Sequence, residues 1–341
     1  MMNWTVIDTA MFILGAAIGS FLNVCIVRLP REKSVVAPRS HCVQCEKFIP
    51  WFDNIPFVSY LLLGGKCRYC RAPISFRYFF VEFLTAAAFV FIFRCFGVSP
   101  LLLPYLFMIS CFIVATFVDF SHRIIPDEVS VGGMILGLLF SAVTPDMHME
   151  ASQLSGGRVF MWILGAAVVV IEFGVERFFR SEENAGDAPA SWQESLSFFL
   201  LIALMFALEA GLYYAATKVF TTGDWIVPYL TSVDAALIGA LVGGAIIYLM
   251  GLIGYILFRK EAMGGGDVKL LAMVGAFLGW KLAVLTFFIA PLFGAVFGLI
   301  EKMRTKDTAI PYGPFLVLGA LISLFYGELL IAWILSGYGI R

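Results

Sequence analysis

Charged residues are scarce in this chain. Asp, Glu, Lys and Arg together make up 14% of its 341 residues, whereas hydrophobic residues make up 61%. Soluble domains carry about 25% charged residues, so the composition excludes an ordinary soluble protein and predicts a membrane protein. The two signs nearly cancel to a net charge of −1, which therefore indicates no particular partner.

Three sequence signals are also missing. The basic residues line the loops between apolar runs and form no continuous patch, so we expect no nucleic-acid partner. No glycine-rich loop follows a predicted strand, so no motif marks a nucleotide or methyl-donor site. The first apolar run starts almost at Met1, is long enough to span a bilayer and lacks a basic leading region, so no cleavable signal peptide is expected.

About ten apolar runs predict an all-α polytopic membrane protein with a small polar insert. The predicted spans are residues 5–27, 78–96, 101–118, 129–143, 159–179, 196–217, 235–258, 268–278, 282–300 and 315–335. We divide the chain into a first transmembrane helix (1–29), a loop domain (30–77), transmembrane helices (78–144), an inserted transmembrane hairpin with loops (145–234) and the last transmembrane helices (235–341). Two glycine pairs, Gly15 with Gly19 and Gly239 with Gly243, have the spacing that permits close helix packing.

The basic residues are distributed unevenly between the two faces of the predicted bundle. When the loops are assigned alternately, 18 of the 23 Lys and Arg residues fall on one side. The positive-inside rule makes that side the cytoplasm. The 30–77 loop and the ends of the apolar runs next to Asp119 and Asp267 are therefore expected at the cytoplasmic face.

Four of the seven cysteines form two C-x2-C pairs in the loop domain, Cys42 with Cys45 and Cys67 with Cys70. Four thiolates in this pattern predict a closed, tetrahedral structural zinc site, and the metal would supply the core that a loop with few aliphatic residues lacks. A redox pair and two unligated pairs are the alternatives, although a cytoplasmic location disfavours disulfides. The other three cysteines, in or beside apolar runs, are read as small hydrophobic residues.

Two acids stand where apolar runs meet loops. Asp119 closes the run at 101–118, and Asp267 follows three glycines, residues 264–266, and opens the next run. A carboxylate at a membrane boundary is costly unless it has a partner or a task. Two such carboxylates can work as an acid–base pair, one activating water and the other protonating the departing amine. The alternative is that each acid caps a helix or lies in headgroup water; Asp267, before Val268, also fits a cap.

Other polar residues give weaker signals. Asp127 fits a helix cap, and His122 is more simply read as a solvated interfacial histidine. Glu82, Glu172 and Glu209 lie inside predicted spans. Because an acidic side chain is costly there, each is first considered as a functional residue. Glu82 is near the basic loop and is expected to pair with Arg77 or Arg71.

Five motifs in order resemble the bacterial prepilin leader peptidases, which are G-x-G-D intramembrane aspartyl proteases. They are residues 19–24 (GSFLNV), the paired C-x2-C loop, residues 118–127 (VDFSHRIIPD), residues 264–271 (GGGDVKLL) and residues 311–316 (PYGPFL). The resemblance covers residues 19–143 and 235–335. The interval 144–234 departs from the family pattern and is read as an added helical hairpin with an acidic loop.

The resemblance implies a specific function. Such enzymes remove the short basic leader of type IV prepilins and type II secretion pseudopilins at the cytoplasmic face of the bacterial inner membrane. Many then methylate the new N-terminal amine with S-adenosylmethionine. Carried over by motif, the catalytic residues are Asp119 and Asp267, and the ligands of a structural zinc are Cys42, Cys45, Cys67 and Cys70. The methyl-donor site is implied by the family alone, with Asn23, Arg71 and Glu82 as weak candidates.

Two other functions are kept open. A transporter would use the acids Glu82, Asp119, Glu172, Glu209 and Asp267 to relay protons or bind ions, although two acids at one face argue against a site at the midplane. A membrane-anchored zinc module that only recruits partners is the third hypothesis. It predicts that the 30–77 loop functions when detached from the spans.

Overall fold

The computed structural model describes residues 4–148, 198–204, 207, 211, 227–258, 263–305 and 311–337. Within them, the helices with defined ends are α1 (Trp4–Arg28), α2 (Val58–Leu62), α3 (Phe76–Phe96), α4 (Leu102–His122), α5 (Asp127–Val143), α6 (Val227–Phe258), α7 (Gly265–Thr305) and α8 (Gly313–Gly337). The same residues contain only isolated β-bridges and no strand. The predicted all-α class is therefore confirmed for the described part of the chain.

Six of these helices, namely α1, α3, α4, α6, α7 and α8, are long and apolar enough to cross a membrane. The predicted total of about ten spans is not confirmed. α5 has 17 residues, slightly short of the roughly 20 that a bilayer core needs. The predicted span at 159–179 and most of the one at 196–217 fall outside the described residues, as do Glu172 and Glu209.

The chain divides into two compact units, residues 1–129 and 130–341. In the first unit, α1 and α3 pack side by side along the glycine pair predicted for this purpose. A Cβ at Gly15 would lie 2.7 Å from the Cα of Ala86, and one at Gly19 would lie 2.8 Å from the Cα of Glu82. Only glycine permits so close an approach of two backbones. The pairing order, with higher numbers in α1 facing lower numbers in α3, makes the two helices antiparallel.

Polar contacts fix both ends of this helix pair. At one end the Asn23 side chain donates to the carbonyl oxygen of Tyr78, 2.9 Å away. At the other end Arg94 forms an ion pair with Asp8. Residues 30–75, here called the cysteine module, therefore leave the membrane bundle from α1 and return to it in α3 at neighbouring points.

α4 completes the membrane bundle of the first unit. It runs back toward the end that carries the cysteine module, as shown by the rings of Phe80, near the start of α3, and Phe117, near the end of α4, whose centroids lie 6.1 Å apart. Asp119 follows in the last turn of α4. Within this unit, Asp119 and the two chain ends of the cysteine module therefore lie at the same end of the bundle, as the loop assignment predicts.

In the second unit, α6 packs against the first part of α7 through glycines. A Cβ on Gly239 or Gly275 would overlap the backbone of the other helix, and Gly243 meets the backbone of Leu271 in the same way. The packing role predicted for Gly239 and Gly243 is thus confirmed. On the other part of α7, Thr286 donates to Ser323 of α8 with an O–O distance of 3.0 Å.

α7 is sharply bent at Gly279, whose φ of 80° and ψ of 171° are not helical. A straight helix of its 41 residues would be about 60 Å long. Tyr312, seven residues beyond the end of α7, nevertheless lies within electrostatic range of Asp267 near its beginning. The chain must therefore fold back at Gly279. The two runs predicted at 268–278 and 282–300 are the two limbs of this helix.

Candidate active site and metal centre

The cysteine module contains the same hydrogen-bonded turn twice, 25 residues apart. In the first knuckle, Cys42 N donates to Lys47 O at 3.0 Å and Glu46 N donates to Cys42 O at 2.9 Å. In the second, Cys67 N donates to Ala72 O at 2.8 Å and Arg71 N donates to Cys67 O at 3.0 Å. The residue after the second cysteine of each pair, Glu46 or Arg71, has a positive φ, 55° and 60° respectively. Each knuckle therefore turns both of its thiols to one side.

The four thiols form one cluster. All four sulfur atoms lie within 4.8 Å of one another, and the Sγ atoms of Cys42 and Cys70 are 3.8 Å apart. A disulfide requires about 2.05 Å, so none of the pairs is bonded. A tetrahedral zinc with Zn–S bonds of about 2.3 Å has sulfur–sulfur edges of roughly 3.8 Å. The donor set and its spacing fit zinc, and four thiols fill the coordination shell.

The ionisation of these four thiols also favours a bound cation. N–H groups of Cys70 and then Tyr69, directed at the sulfur, lower the pKa of Cys67 to about 6. At Cys70 the N–H of Ala72 has the same effect, but burial and the hydrogen bonds with Cys45, Cys67 and Cys42 outweigh it and raise the pKa to about 11. Four neighbouring thiols cannot all ionise without a positive charge among them.

Asp119 is buried, with 5% of its surface exposed, in the last turn of α4. Its backbone oxygen accepts from Arg123 N at 2.9 Å, and Arg123, with φ of 58° and ψ of 36°, ends the helix. The C-terminus of a helix carries partial negative charge. A buried acid is therefore unfavourable at this position for the helix itself, so stabilising α4 does not explain its presence.

Asp267 occupies the opposite kind of helix end. It is in the first turn of α7, where its N–H donates to the oxygen of Gly264 at 3.1 Å. The partial positive charge of a helix N-terminus stabilises a negative carboxylate. Its side chain is half-buried, so it remains accessible, whereas Lys269 two residues later is buried.

Tyr312 is a member of this site that the sequence interpretation did not assign, although it belongs to the motif at 311–316. Burial and then the charge of Asp267 raise the pKa of its phenol to about 12, so the charge of Asp267 acts on this side chain. The Tyr312 hydroxyl is a buried polar atom without a hydrogen-bond partner in the described part of the chain. The structure thus brings the motif at 311–316 to the motif at 264–271.

Glu82 has a different partner from the predicted one. Its Oε2 accepts from the backbone N–H of Phe57 at 3.0 Å. Ser20 is a second hydrogen-bond partner. Arg71 belongs to the second knuckle, and no ion pair of Glu82 with Arg71 or Arg77 occurs among the described residues. Asn23 is likewise engaged, because it bonds the backbone of Tyr78.

The fold and these sites define a multi-pass membrane protein with a four-cysteine module and acids at the ends of its helices. The family model described as the bacterial peptidase A24 N-terminal domain matches residues 13–96. The model described as the type IV leader peptidase family matches residues 196–299. Together these two models match more than half of the chain.

Curated relatives agree with the family models. The prepilin leader peptidase/N-methyltransferase of Myxococcus xanthus is 30% identical over 295 residues, which are 86% of this chain and 63% of the relative. Proteins of the same description from Legionella pneumophila and Pseudomonas aeruginosa are 26% and 28% identical, over 93% of this chain and 90% and 89% of theirs. No solved structure matches. The chain belongs to the bacterial prepilin leader peptidase/N-methyltransferase family.

Proposed function

We propose that this protein is an aspartyl endopeptidase that removes the leader of type IV prepilins and type II secretion pseudopilins, and then methylates the new N-terminal amine. Membership of the family carries the proposal, because curated relatives are described as prepilin leader peptidases and N-methyltransferases. Asp119 and Asp267 are the catalytic residues. S-adenosylmethionine is the methyl donor that such a transfer would use.

The helix ends suggest how the two acids divide the work. The positive end of α7 favours a negative charge on Asp267, so this residue is suited to activate the attacking water. The negative end of α4 favours a neutral, protonated Asp119, which is suited to protonate the departing amine. Attack of the water oxygen on the peptide carbonyl forms a C–O bond. Collapse then breaks the C–N bond, and the amine leaves with the proton from Asp119.

Zinc, bound by Cys42, Cys45, Cys67 and Cys70, would hold the two knuckles together. Because four thiolates leave no open coordination position, the metal has a structural task and takes no part in cleavage. Consistent with that task, the knuckles have few large buried side chains of their own, and Val43, Phe48 and Tyr69 are exposed.

We place the cysteine module, Asp119 and Asp267 at the cytoplasmic face of the bacterial inner membrane. The uneven distribution of Lys and Arg supports this orientation. Within the first unit, Asp119 lies at the end of the bundle that carries the cysteine module, which agrees with one common face.

The transporter hypothesis has less support. Among the described residues, the intramembrane acid Glu82 accepts a hydrogen bond from the Phe57 backbone and so has a structural role. Proposals for Glu172 and Glu209 lie outside the described residues. The hypothesis of a zinc module that acts alone does not account for the family match at 196–299.

Mass spectrometry of a purified prepilin incubated with the full-length protein tests the proposal. Wild type is expected to remove the leader, and the mature product should gain one methyl group only when S-adenosylmethionine is present. Asp119→Asn and Asp267→Asn should each abolish cleavage, since an amide can neither activate water nor supply the proton. Asp127→Asn, at the first residue of α5, is the matched control and should cleave normally. Normal cleavage by either of the first two variants would exclude this mechanism.

A further inference from the structure

The segment between the two zinc knuckles, residues 51–62, presents large apolar side chains that no protein group in the described chain covers. It consists of a short 3-10 helix (Trp51–Asp53) and α2. Trp51 is 75% exposed, Leu61 67% and Leu62 82%, and Val58 is also exposed. Exposed apolar side chains of this size in one short segment indicate a surface that contacts a membrane or another protein.

Phe57, in the middle of this segment, anchors it to the membrane-spanning helices. The Phe57 N–H donates to the Glu82 carboxylate of α3 at 3.0 Å. The Phe57 ring has its centroid 5.6 Å from that of Phe12 in α1 and 5.5 Å from that of Phe79 in α3. Phe57 also has a φ of 61°, which is rare for a residue with a bulky side chain. These contacts hold Phe57 in that conformation. The membrane-spanning helices α1 and α3 therefore fix how deep the segment lies in the bilayer.

The geometry limits how far the rest of the segment can rise above the membrane boundary. Glu82 is six residues inside α3, which corresponds to about 9 Å along the helix axis. Leu62 is five residues after Phe57, and α2 advances only about 7.5 Å over that distance even if it points directly outward. With the reach of the Glu82 side chain added, Leu61 and Leu62 lie within about one helix turn of the level of Phe76, where the span of α3 begins.

The polar side chains Ser59 and Asp53 of the segment have partners within the module. The Ser59 hydroxyl donates to Phe52 O at 2.9 Å and accepts from Ile55 N at 3.1 Å. Asp53 receives two hydrogen bonds from Arg68, of 2.5 and 2.6 Å. A backbone near the hydrocarbon needs such internal partners because lipid tails provide none.

We propose that residues 51–62 form an interfacial segment that lies in the headgroup region of the bilayer, with the apolar side chains of Trp51, Val58, Leu61 and Leu62 in contact with phospholipid. An amphipathic segment at this depth combines apolar contact with basic flanks. Exposed Lys66 and Arg71 follow in the second knuckle and supply positive charge for anionic headgroups, whereas Arg68 is paired with Asp53. The cysteine module is thus held against the membrane, independently of the proposed catalytic activity.

Photocrosslinking in reconstituted vesicles tests this placement. The full-length protein would carry p-benzoyl-phenylalanine either at position 62 or at position 44, the exposed Gln44 of the first knuckle. After irradiation in vesicles of phosphatidylethanolamine and phosphatidylglycerol, the position-62 protein should yield phospholipid adducts several-fold more often than the position-44 protein. Equal yields, or adducts of position 62 with protein alone, would overturn the proposal. Equal zinc content in the two proteins would show that both modules are folded.

Fluorescence quenching gives a second measurement that needs no crosslinker. The emission of Trp51 is obtained as the difference between wild type and Trp51→Phe in the same vesicles. Phospholipids brominated near the headgroup end of the acyl chain should quench that difference strongly. An emission that brominated lipid leaves unchanged, while aqueous iodide quenches it, would place Trp51 in water and contradict the proposal.

Discussion

His148 holds the bend of α7 in place by a hydrogen bond to Ala276. The Nε2 atom lies 3.2 Å from the carbonyl oxygen of Ala276, three residues before the bend at Gly279. In an uninterrupted helix this oxygen would accept from residue 280, beyond the bend. Since a carbonyl oxygen only accepts, the neutral histidine carries its proton on Nε2. His148 therefore binds the limb that contains Asp267 beside the bend.

The His148 contact predicts a pH-dependent stability. Burial lowers the pKa of His148 from 6.5 to about 4 in the folded protein. Below pH 6.5 the unfolded chain binds a proton that the folded chain does not, so stability is complete above pH 6.5 and falls as the pH drops toward 4. The loss over this window is about 3 kcal/mol. Unfolding of the reconstituted protein at pH 7 and pH 4.5 measures it.

His148→Gln is the matched variant, because its amide N–H can still donate to Ala276 but does not titrate. It should lose most of the pH dependence while remaining folded at pH 7. The exposed His122 serves as the control, and His122→Gln should behave as wild type. A wild-type pH dependence in His148→Gln would show that another group is responsible.

Removal of one thiol should release the metal. The wild-type protein is expected to contain about one zinc per chain. Cys67→Ser leaves three thiolates, and we expect dialysis against a mild chelator to strip that variant but not wild type. Cys95→Ser, at an exposed position in α3, should keep its zinc. Elemental analysis of the three proteins checks this, and undiminished zinc in Cys67→Ser would refute the assignment of the ligand.

The contact between α6 and α7 should not tolerate a methyl group. In Gly275→Ala the added carbon would overlap the backbone of Gly239, and we expect a loss of about 1–3 kcal/mol. Gly251→Ala, also in a helix, has room, since its nearest neighbour would be Met263 Cβ at 3.6 Å. There the better helix propensity of alanine should stabilise the protein by up to about 1 kcal/mol. Denaturation by detergent titration would show whether each variant gains or loses stability. Equal changes in the two variants would contradict the close packing of α6 against α7.

Tyr312 should matter for turnover more than for binding. The charge of Asp267 acts on its hydroxyl, which has no partner among the described residues and stays protonated at neutral pH. We therefore expect it to donate to a peptide or water bound at Asp267. Tyr312→Phe is expected to lower kcat about tenfold, equivalent to the loss of one hydrogen bond, with little change in KM. Steady-state cleavage of a prepilin measures both constants.

The exposed Tyr326 of α8 provides the control for this variant. Tyr326→Phe should leave kcat and KM unchanged. If Tyr312→Phe also shows wild-type kcat, the Tyr312 hydroxyl has no role in positioning the reacting groups. If the variant loses stability in the same detergent titration, the effect on kcat would instead reflect packing.

Sequence patterns predicted the regular parts of this molecule well. Cys42, Cys45, Cys67 and Cys70 converge as expected, because two identical short turns leave few other ways to place four thiols. The glycines at 15, 19, 239 and 243 lie at helix contacts, since a missing side chain at helical spacing has few other uses. Both predictions depend on the spacing of residues within a short turn or along one helix, and the sequence shows that spacing directly.

The partners of single polar residues could not be predicted in the same way. Glu82 was expected to pair with a nearby arginine, yet it accepts from the Phe57 backbone, because the 51–62 segment turns back onto α3. Tyr312 meets Asp267 only because α7 folds back at Gly279, and the run of apolar residues around that glycine does not reveal the direction of the turn. Which residues meet in a long-range contact depends on the direction in which the chain turns back. Composition does not specify that direction.

The hydrogen bond between Asn23 and Tyr78 has a further consequence for how this architecture can vary. It joins the last turns of α1 to the first turn of α3, so the first and last of the 46 residues of the cysteine module lie close together. We expect that a short connector could replace the module and still join α1 to α3, although Glu82 would then lose the hydrogen bond from Phe57. A shortened chain of that kind should still fold its membrane bundle, and would separate what the bundle does from what the module adds.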